Sequence, residues 1–316
     1  MKKELVILTG PTAVGKTELS IQLAKKINGE IISADSIQVY KHMNIGSAKI
    51  TEDEMQGIVH YMIDELEPTE DFNVYLFQKK CLHYMERIYQ KGKVPIIVGG
   101  TGFYIQSVLY DIDFTETQDE NAIREKLEQE ARTKGIDYLY ERLKKVDIKS
   151  AQQIHKNNLK RVIRALEYYE QTGKKFSEHN EEQKKHTSPY CFEYFVLNDQ
   201  REKLYQRINQ RVDLMIEQGL EKEVLNLLQM GCQAESTAMQ GIGYKEMVSK
   251  ILNHIPLTET IEKIKQNTRH FAKRQLTWFR REKDVTFVDY QDFDNDKDKM
   301  LEFMVNKWEA KKKNNQ

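Results

Sequence analysis

Apolar residues fall in short unbroken runs through the first hundred positions and at helical spacing over most of the remainder. Leu5 to Leu8 is such a run, ending in Thr9-Gly10, and Thr17 to Ile27 then places Leu19, Leu23, Ala24 and Ile27 on one helical face. The pattern reads strand, loop, helix. Ile31-Ile32 leads into Ser33-Ala34-Asp35-Ser36, Ile58 to Ile63 reads as another strand, and Phe72 to Tyr89 reads as a helix. Val94 to Val98 is a buried strand that ends in Gly99-Gly100-Thr101-Gly102. Alternation of this kind predicts an α/β fold with a parallel sheet covered by helices on both faces, and ligands of such sheets sit at the carboxyl ends of the strands.

Beyond about residue 112 the texture becomes charged and helical, with no strong strand until Glu193 to Leu197. Residues 200–283 are again mostly helical, broken near Gly231 to Ser236 and at Gly241-Ile242-Gly243, with a long last helix from about Thr258. The expected organisation is a catalytic core from 1–112 and 196–290, a mainly helical insertion over 113–195, and a polar C-terminal helix or tail over 291–316. Lys307 to Gln316 reads as a frayed, solvated end.

Composition narrows the classes. The chain has 316 residues, 39% hydrophobic and 31% charged, with no run of apolar residues long enough to span a membrane. Leu5 to Leu8 is too short for the core of a signal peptide, so the expected location is the cytoplasm. Cys81, Cys191 and Cys232 are far apart and form no metal pattern; they read as reduced and structural. Lysine plus arginine number 49 against 49 acidic residues, so any RNA site must be local.

Gly10-Pro11-Thr12-Ala13-Val14-Gly15-Lys16-Thr17 satisfies G-x-x-x-x-G-K-[ST], after a strand and opening a helix. Glycines let backbone N–H groups curl around phosphate oxygens, the helix N-terminus adds positive potential, Lys16 reaches the phosphates and Thr17 ligates Mg²⁺. The core is therefore expected to resemble the P-loop NTPases. Asp35 follows the second strand and should share the loop's edge of the sheet; it would hold Mg²⁺ through water, take a proton from a nucleophile, or merely cap a turn with Ser36. The Gly99 to Gly102 turn either brings the Thr101 hydroxyl to a ligand or is simply a tight entry to the next helix.

These segments, taken in order, resemble the bacterial tRNA dimethylallyltransferases. The likeness rests on Gly10 to Thr17, on Ser33 to Tyr40 with Ile45-Gly46-Ser47-Ala48-Lys49, and on Gly99 to Tyr104. It continues through Arg161 to Glu167, Thr172-Gly173, Arg207, Arg211-Val212-Asp213, Gln266 to Arg269 and Lys273 to Phe279, spanning about residues 4–288. Departures occur at Asn44, Ser47 and Ile50, where the family commonly has Asp, Thr and Pro, and at Asp147-Ile148, where it has Asp-Pro; Ser47 keeps a hydroxyl, and none touches a proposed catalytic group.

The resemblance implies transfer of a dimethylallyl group from its diphosphate to N6 of the adenosine that follows the anticodon, in tRNAs reading codons that begin with U. It implies Asp35 as the base, Lys16 and Mg²⁺ on Thr17 at the departing pyrophosphate, and Arg211, less strongly Arg207, adding to that clamp. It implies that Thr101 orients Asp35 and the base, and that Gln38 reads the adenine edge. The tRNA anticodon stem-loop would meet Asp35, Ser36, Ile37, Gln38, Thr101, Arg124, Leu159, Lys160, Arg161, Val162 and Ile163. Arg124, Lys156, Lys160, Arg161 and Arg164 would otherwise read as a solvated charged face. Arg269, His270, Lys273, Arg274, Arg280 and Arg281 form a second basic stripe, whose neighbours Phe271, Trp278 and Phe279 read as core. Three rivals remain: a P-loop kinase, a prenyltransferase acting on free adenine nucleotides, and an RNA-binding P-loop ATPase; the last is disfavoured because no Walker B strand with a catalytic Glu is found. A monomer is the default expectation.

Overall fold

The computed structural model describes residues 2–114, 120–183 and 185–315. The chain divides into two compact units, Met1–Leu109 with Pro189–Gln316, and Tyr110–Ser188. Gln316, the end of the expected tail, lies outside the described residues.

The first unit begins with β1 (Lys3–Thr9), α1 (Lys16–Ile27), β2 (Gly29–Ala34), a short α2 (Glu52–Met55) and β3 (His60–Tyr61). It continues with α3 (Val74–Gln90), β4 (Val94–Gly99) and α4 (Gly102–Leu109). The second unit is built from α5 (Glu120–Lys134), α6 (Ile136–Val146), α7 (Ile148–Gln153), α8 (Leu159–Thr172) and α9 (Phe176–Gln183). The chain then returns to the first unit with β5 (Tyr190–Asn198), α10 (Arg201–Glu217), α11 (Leu220–Gln229), α12 (Tyr244–Asn253), α13 (Leu257–Phe279), β6 (Val285–Asp289) and α14 (Lys297–Lys313).

All strand pairs are parallel, in the order β3-β2-β4-β1-β5-β6. The short apolar runs are the central strands because both of their faces are covered. Val6 and Leu8 of β1 pack with Leu19 and Leu23 of α1 and with Met304 and Trp308 of α14, while Leu5 and Ile7, of opposite alternation, are buried as well. Register then aligns the strand ends. Thr9 pairs with Gly99 and Gly99 with Ala34, so Gly10, Gly100 and Asp35 leave the sheet side by side. Thr9 Oγ1 donates to Gly99 O at 2.6 Å and locks the central pair at that height.

The second unit has its own core, in which Leu127, Leu139, Leu143, Val162 and Leu166 close the helices on one another. Asp147 joins two of its helices: it accepts from the backbone N–H and hydroxyl of Ser150 in α7 and from those of Ser177 in α9. These hydrogen bonds hold its carboxyl below the ordinary range against the opposing effect of burial.

Four expectations are corrected. The strand expected over Ile58 to Ile63 shrinks to His60–Tyr61. Core strand β5 begins at Tyr190, inside the stretch assigned to the insertion, because it pairs with β1 from Lys3 onward. Val285–Asp289 is an unforeseen edge strand against β5. The lysine-rich end is mostly no frayed tail: α14 runs to Lys313 and buries Met300, Leu301, Met304 and Trp308 on one stripe. All three cysteines are free and buried, and burial pushes the Cys81 thiol up.

Candidate active site

The site is built where β1, β2 and β4 end. From Gly10 the chain turns through Ala13 (φ 63°) and Gly15 (φ 98°) before α1 starts at Lys16. Gly15 has a double reason to be glycine, since its φ is left-handed and a Cβ there would lie 2.7 Å from the Tyr290 hydroxyl. Lys16 folds back over the loop, its Nζ donating to Gly10 O at 3.0 Å and Pro11 O at 2.8 Å. Burial lowers its ammonium to a pKa of about 7, the Arg211 guanidinium pushes the same way, and Asp35 opposes both. Thr17 is exposed on the first turn of α1.

Asp35 is held by one oxygen. Its Oδ1 accepts from Ile37 N at 2.8 Å and Gln38 N at 3.3 Å, while Oδ2 takes no hydrogen bond among the described residues. That geometry fixes the carboxylate and leaves one oxygen for a proton. Thr101 N donates to Ala34 O at 3.3 Å, which sets Thr101 beside the residue preceding Asp35. Gln38 is oriented by its loop: Oε1 accepts from Ser33 Oγ, and Nε2 donates to Ser47 O and Ala48 O. The Ser47 hydroxyl is used within the loop, donating to Met43 O at 2.6 Å.

The two arginines of α10 are distinguished. Arg207 is committed, donating to the buried Asp199 carboxylate at 2.5 Å and lying over the Tyr290 ring. Arg211 has no ion pair among the described residues; burial lowers its pKa and the Asp35 charge opposes that shift. Lys16, Asp35, Arg211 and Thr101 are therefore gathered at one edge of the first unit.

The nominated Arg124 and Leu159 to Ile163 belong to the second unit. Val162 and Ile163 bury their side chains in its core, and the Val162 N–H already donates to Asn158 O at 3.0 Å. Leu159 packs against the same core, while Lys160 and Arg161 are exposed without an ion pair among the described residues. Lys156 pairs with Asp137, and Arg124 and Arg164 both donate to Oε2 of Glu167. On α13, Phe279 is core as expected, and Trp278 packs edge-on to Phe103.

Sequence reasoning assigned no role to Glu223 or Gln275. The Glu223 carboxylate accepts from three successive N–H groups, those of Asn44, Ile45 and Gly46, and from the Tyr244 hydroxyl, and so holds the loop that in turn holds Gln38. Nothing local in the sequence signals a contact nearly two hundred residues long.

The pattern of the IPP transferase family matches residues 38–282, and that of the isopentenyl transferases matches residues 3–72. The chain belongs to the IPP transferase family. Among curated relatives of this IPP transferase, the tRNA dimethylallyltransferase of Lachnoclostridium phytofermentans is 56% identical over 292 residues, covering 92% of this chain and 93% of that one. Among solved structures, the tRNA isopentenylpyrophosphate transferase of Bacillus halodurans superposes with a TM-score of 0.74 at 41% identity, covering 99% of both chains. A eukaryotic dimethylallyltransferase acting on tRNA superposes with a TM-score of 0.78 at 34% identity, covering 91% of this chain and 74% of that one. The expectation of a P-loop parallel-sheet core in a prenyltransferase is borne out.

Proposed function

We propose that this IPP transferase family member transfers a dimethylallyl group from dimethylallyl diphosphate to N6 of the adenosine that follows the anticodon, in tRNAs reading codons that begin with U. The observation that carries the reading is the convergence of Lys16 and Arg211, which make no ion pair among the described residues, on Asp35 at one edge of the sheet. Partly buried cations with no ion pair favour a polyanionic ligand. A carboxylate anchored by a single oxygen suits an acceptor that must lose a proton.

In the reaction, N6 attacks the allylic carbon, the carbon–oxygen bond breaks, and the electron pair leaves with pyrophosphate. The proton from N6 passes to Oδ2 of Asp35. Lys16, Arg211 and the loop N–H groups stabilise the charge that develops on the leaving oxygen. Thr101, set beside Asp35, and Gln38, locked by its loop, hold and read the adenine. The base must leave the anticodon-loop stack to reach them, which selects for a loop adenosine.

No group of three His, Cys, Asp or Glu residues is placed to hold a metal ion among the described residues. The donor present is the exposed Thr17 hydroxyl at the start of α1. It fits Mg²⁺, which takes few protein ligands and keeps water and phosphate oxygens in its shell. When bound it would neutralise the diphosphate and assist its departure.

Lys160 and Arg161 are proposed to meet tRNA phosphates, and Arg124 with the segment Leu159 to Ile163 is proposed to line the tRNA path. The inserted helices are proposed as the tRNA-binding domain, and the protein as a cytoplasmic monomer. No helix among the described residues is long and apolar enough to cross a membrane.

The test is to incubate the protein with Mg²⁺, labelled dimethylallyl diphosphate and unmodified tRNA carrying adenosine after the anticodon. Label entering the tRNA is the expected result. No label in RNA would overturn the reading, and label entering free AMP would identify a nucleotide prenyltransferase instead.

A further inference from the structure

The phosphate loop and the Gly99 to Gly102 turn leave the sheet as neighbours, yet past Thr9 and Gly99 no backbone hydrogen bond joins them among the described residues. One side chain does. Gln275, buried at 6% exposure on α13, accepts from Thr12 N through Oε1 at 2.9 Å and donates to Gly100 O through Nε2 at 3.0 Å. The amide orientation is dictated by its partners, because a backbone N–H requires an acceptor and a carbonyl requires a donor. The fit also explains Gly100, where a Cβ would lie 2.1 Å from Gln275 Nε2. The helix that carries this clasp is itself tied to the helix that carries Arg211, through Arg269 donating to Asn209 Oδ1 at 2.7 Å.

We propose that Gln275 is a positioning residue for the transfer, fixing the separation between the loop that holds the diphosphate and the turn whose Thr101 stands beside Asp35. The inference rests on the prenyl-transfer reading above. The donor's reacting carbon is placed by its pyrophosphate and the acceptor nitrogen by the Asp35 and Thr101 side, so this separation sets the attack distance. A displacement of about 1 Å there costs roughly a hundredfold in rate. A glutamine suits this place because its amide both accepts and donates whatever the pH. An ionised carboxylate would satisfy Thr12 N and face Gly100 O without a proton, whereas a protonated one would restore both bonds.

The experiment compares wild type, Gln275→Ala and Gln275→Glu by steady-state kinetics with dimethylallyl diphosphate and tRNA, and by hydrogen exchange at the Thr12 amide. Gln275→Ala is expected to lower kcat by about 10- to 100-fold, with KM for the donor changed by less than about threefold, and to speed exchange at Thr12. For Gln275→Glu, kcat relative to wild type is expected to rise as pH falls from about 8 to about 5.5, because burial against a carbonyl raises that carboxyl. A general loss of packing would produce no such titration. A pH-independent ratio, or Gln275→Ala with wild-type kcat, overturns the proposal. An inactive wild type would count against the prenyl-transfer reading, and the Thr12 exchange rates, which need no turnover, would then still decide whether the clasp exists.

Discussion

Cations at the carboxyl edge of the sheet and cations in the inserted helices live under opposite conditions. Lys16 and Arg211 are partly buried, and neither meets a carboxylate at ion-pair distance among the described residues. Arg124 and Arg164 instead share Glu167, and Arg142 bridges Glu130 and Glu170, so α5, α6 and α8 are laced together by ion pairs. The paired arginines stabilise their unit. Lys16 and Arg211 repel one another, Asp35 offsets part of that repulsion, and a bound anion would offset more. Within the insertion, Lys160 and Arg161 are among the exposed cations that make no ion pair among the described residues.

The contrast is broken most severely by exchanging what each set lacks. Arg211→Met is expected to lower kcat by about 10²- to 10³-fold with a melting temperature equal to or above wild type. Glu167→Ala is expected to do the reverse, costing about 1–2 kcal/mol in urea denaturation because Arg124 and Arg164 are partly exposed, with kcat at saturating tRNA little changed. If Arg211→Met lost stability and Glu167→Ala lost chemistry, the division of labour would be wrong.

A smaller effect sharpens it. With a pKa of about 7 in the free protein, Lys16 is mostly neutral at about pH 8 and must gain a proton to face a diphosphate. Calorimetry in buffers of different ionisation enthalpy should therefore show wild type taking up more protons on binding pyrophosphate at about pH 8 than Lys16→Met does, by close to one proton. The difference should vanish near pH 5.5, where Lys16 is already charged, and affinity should fall as pH rises above about 7. The same depressed pKa makes Lys16 favour unfolding below its ordinary value, so its contribution to stability improves as pH rises from about 7 to about 10.5. Equal proton uptake by the two proteins at pH 8 would contradict the assignment.

The parts of this site that are legible in the sequence are those whose residues are contiguous. Gly10 to Thr17 and Ser33 to Gln38 each lie between an apolar run and its continuation, so strand polarity alone puts them at one edge. The preference for Arg211 over Arg207 comes from the resemblance, and packing supplies its physical reason: Asp199 and Tyr290 have already engaged Arg207. Gln275 is hidden for a related reason: its partners are Thr12 and Gly100, and only long-range packing brings them together. A signal was present nonetheless, since Gln275 occupies an inward position of a stripe otherwise formed by Thr260, Ile264, Ala272 and Phe279. Strand β6 is too short and too closely flanked by charge to stand out, and it becomes a strand because β5 offers an edge. In α14 the lysines mask Met300, Met304 and Trp308, whose fourfold spacing is the amphipathic pattern.

The central claim is that the carboxyl edge of this sheet moves a carbon group with Asp35 as the base, the P-loop serving only as the cradle of a leaving group. Asp35→Ala tests it most directly, through tRNA binding, pyrophosphate binding and single-turnover transfer measured on one preparation. The account predicts both affinities within about threefold of wild type and transfer reduced by about 10²- to 10⁴-fold. Transfer at the wild-type rate would remove Asp35 as the base and contradict the account.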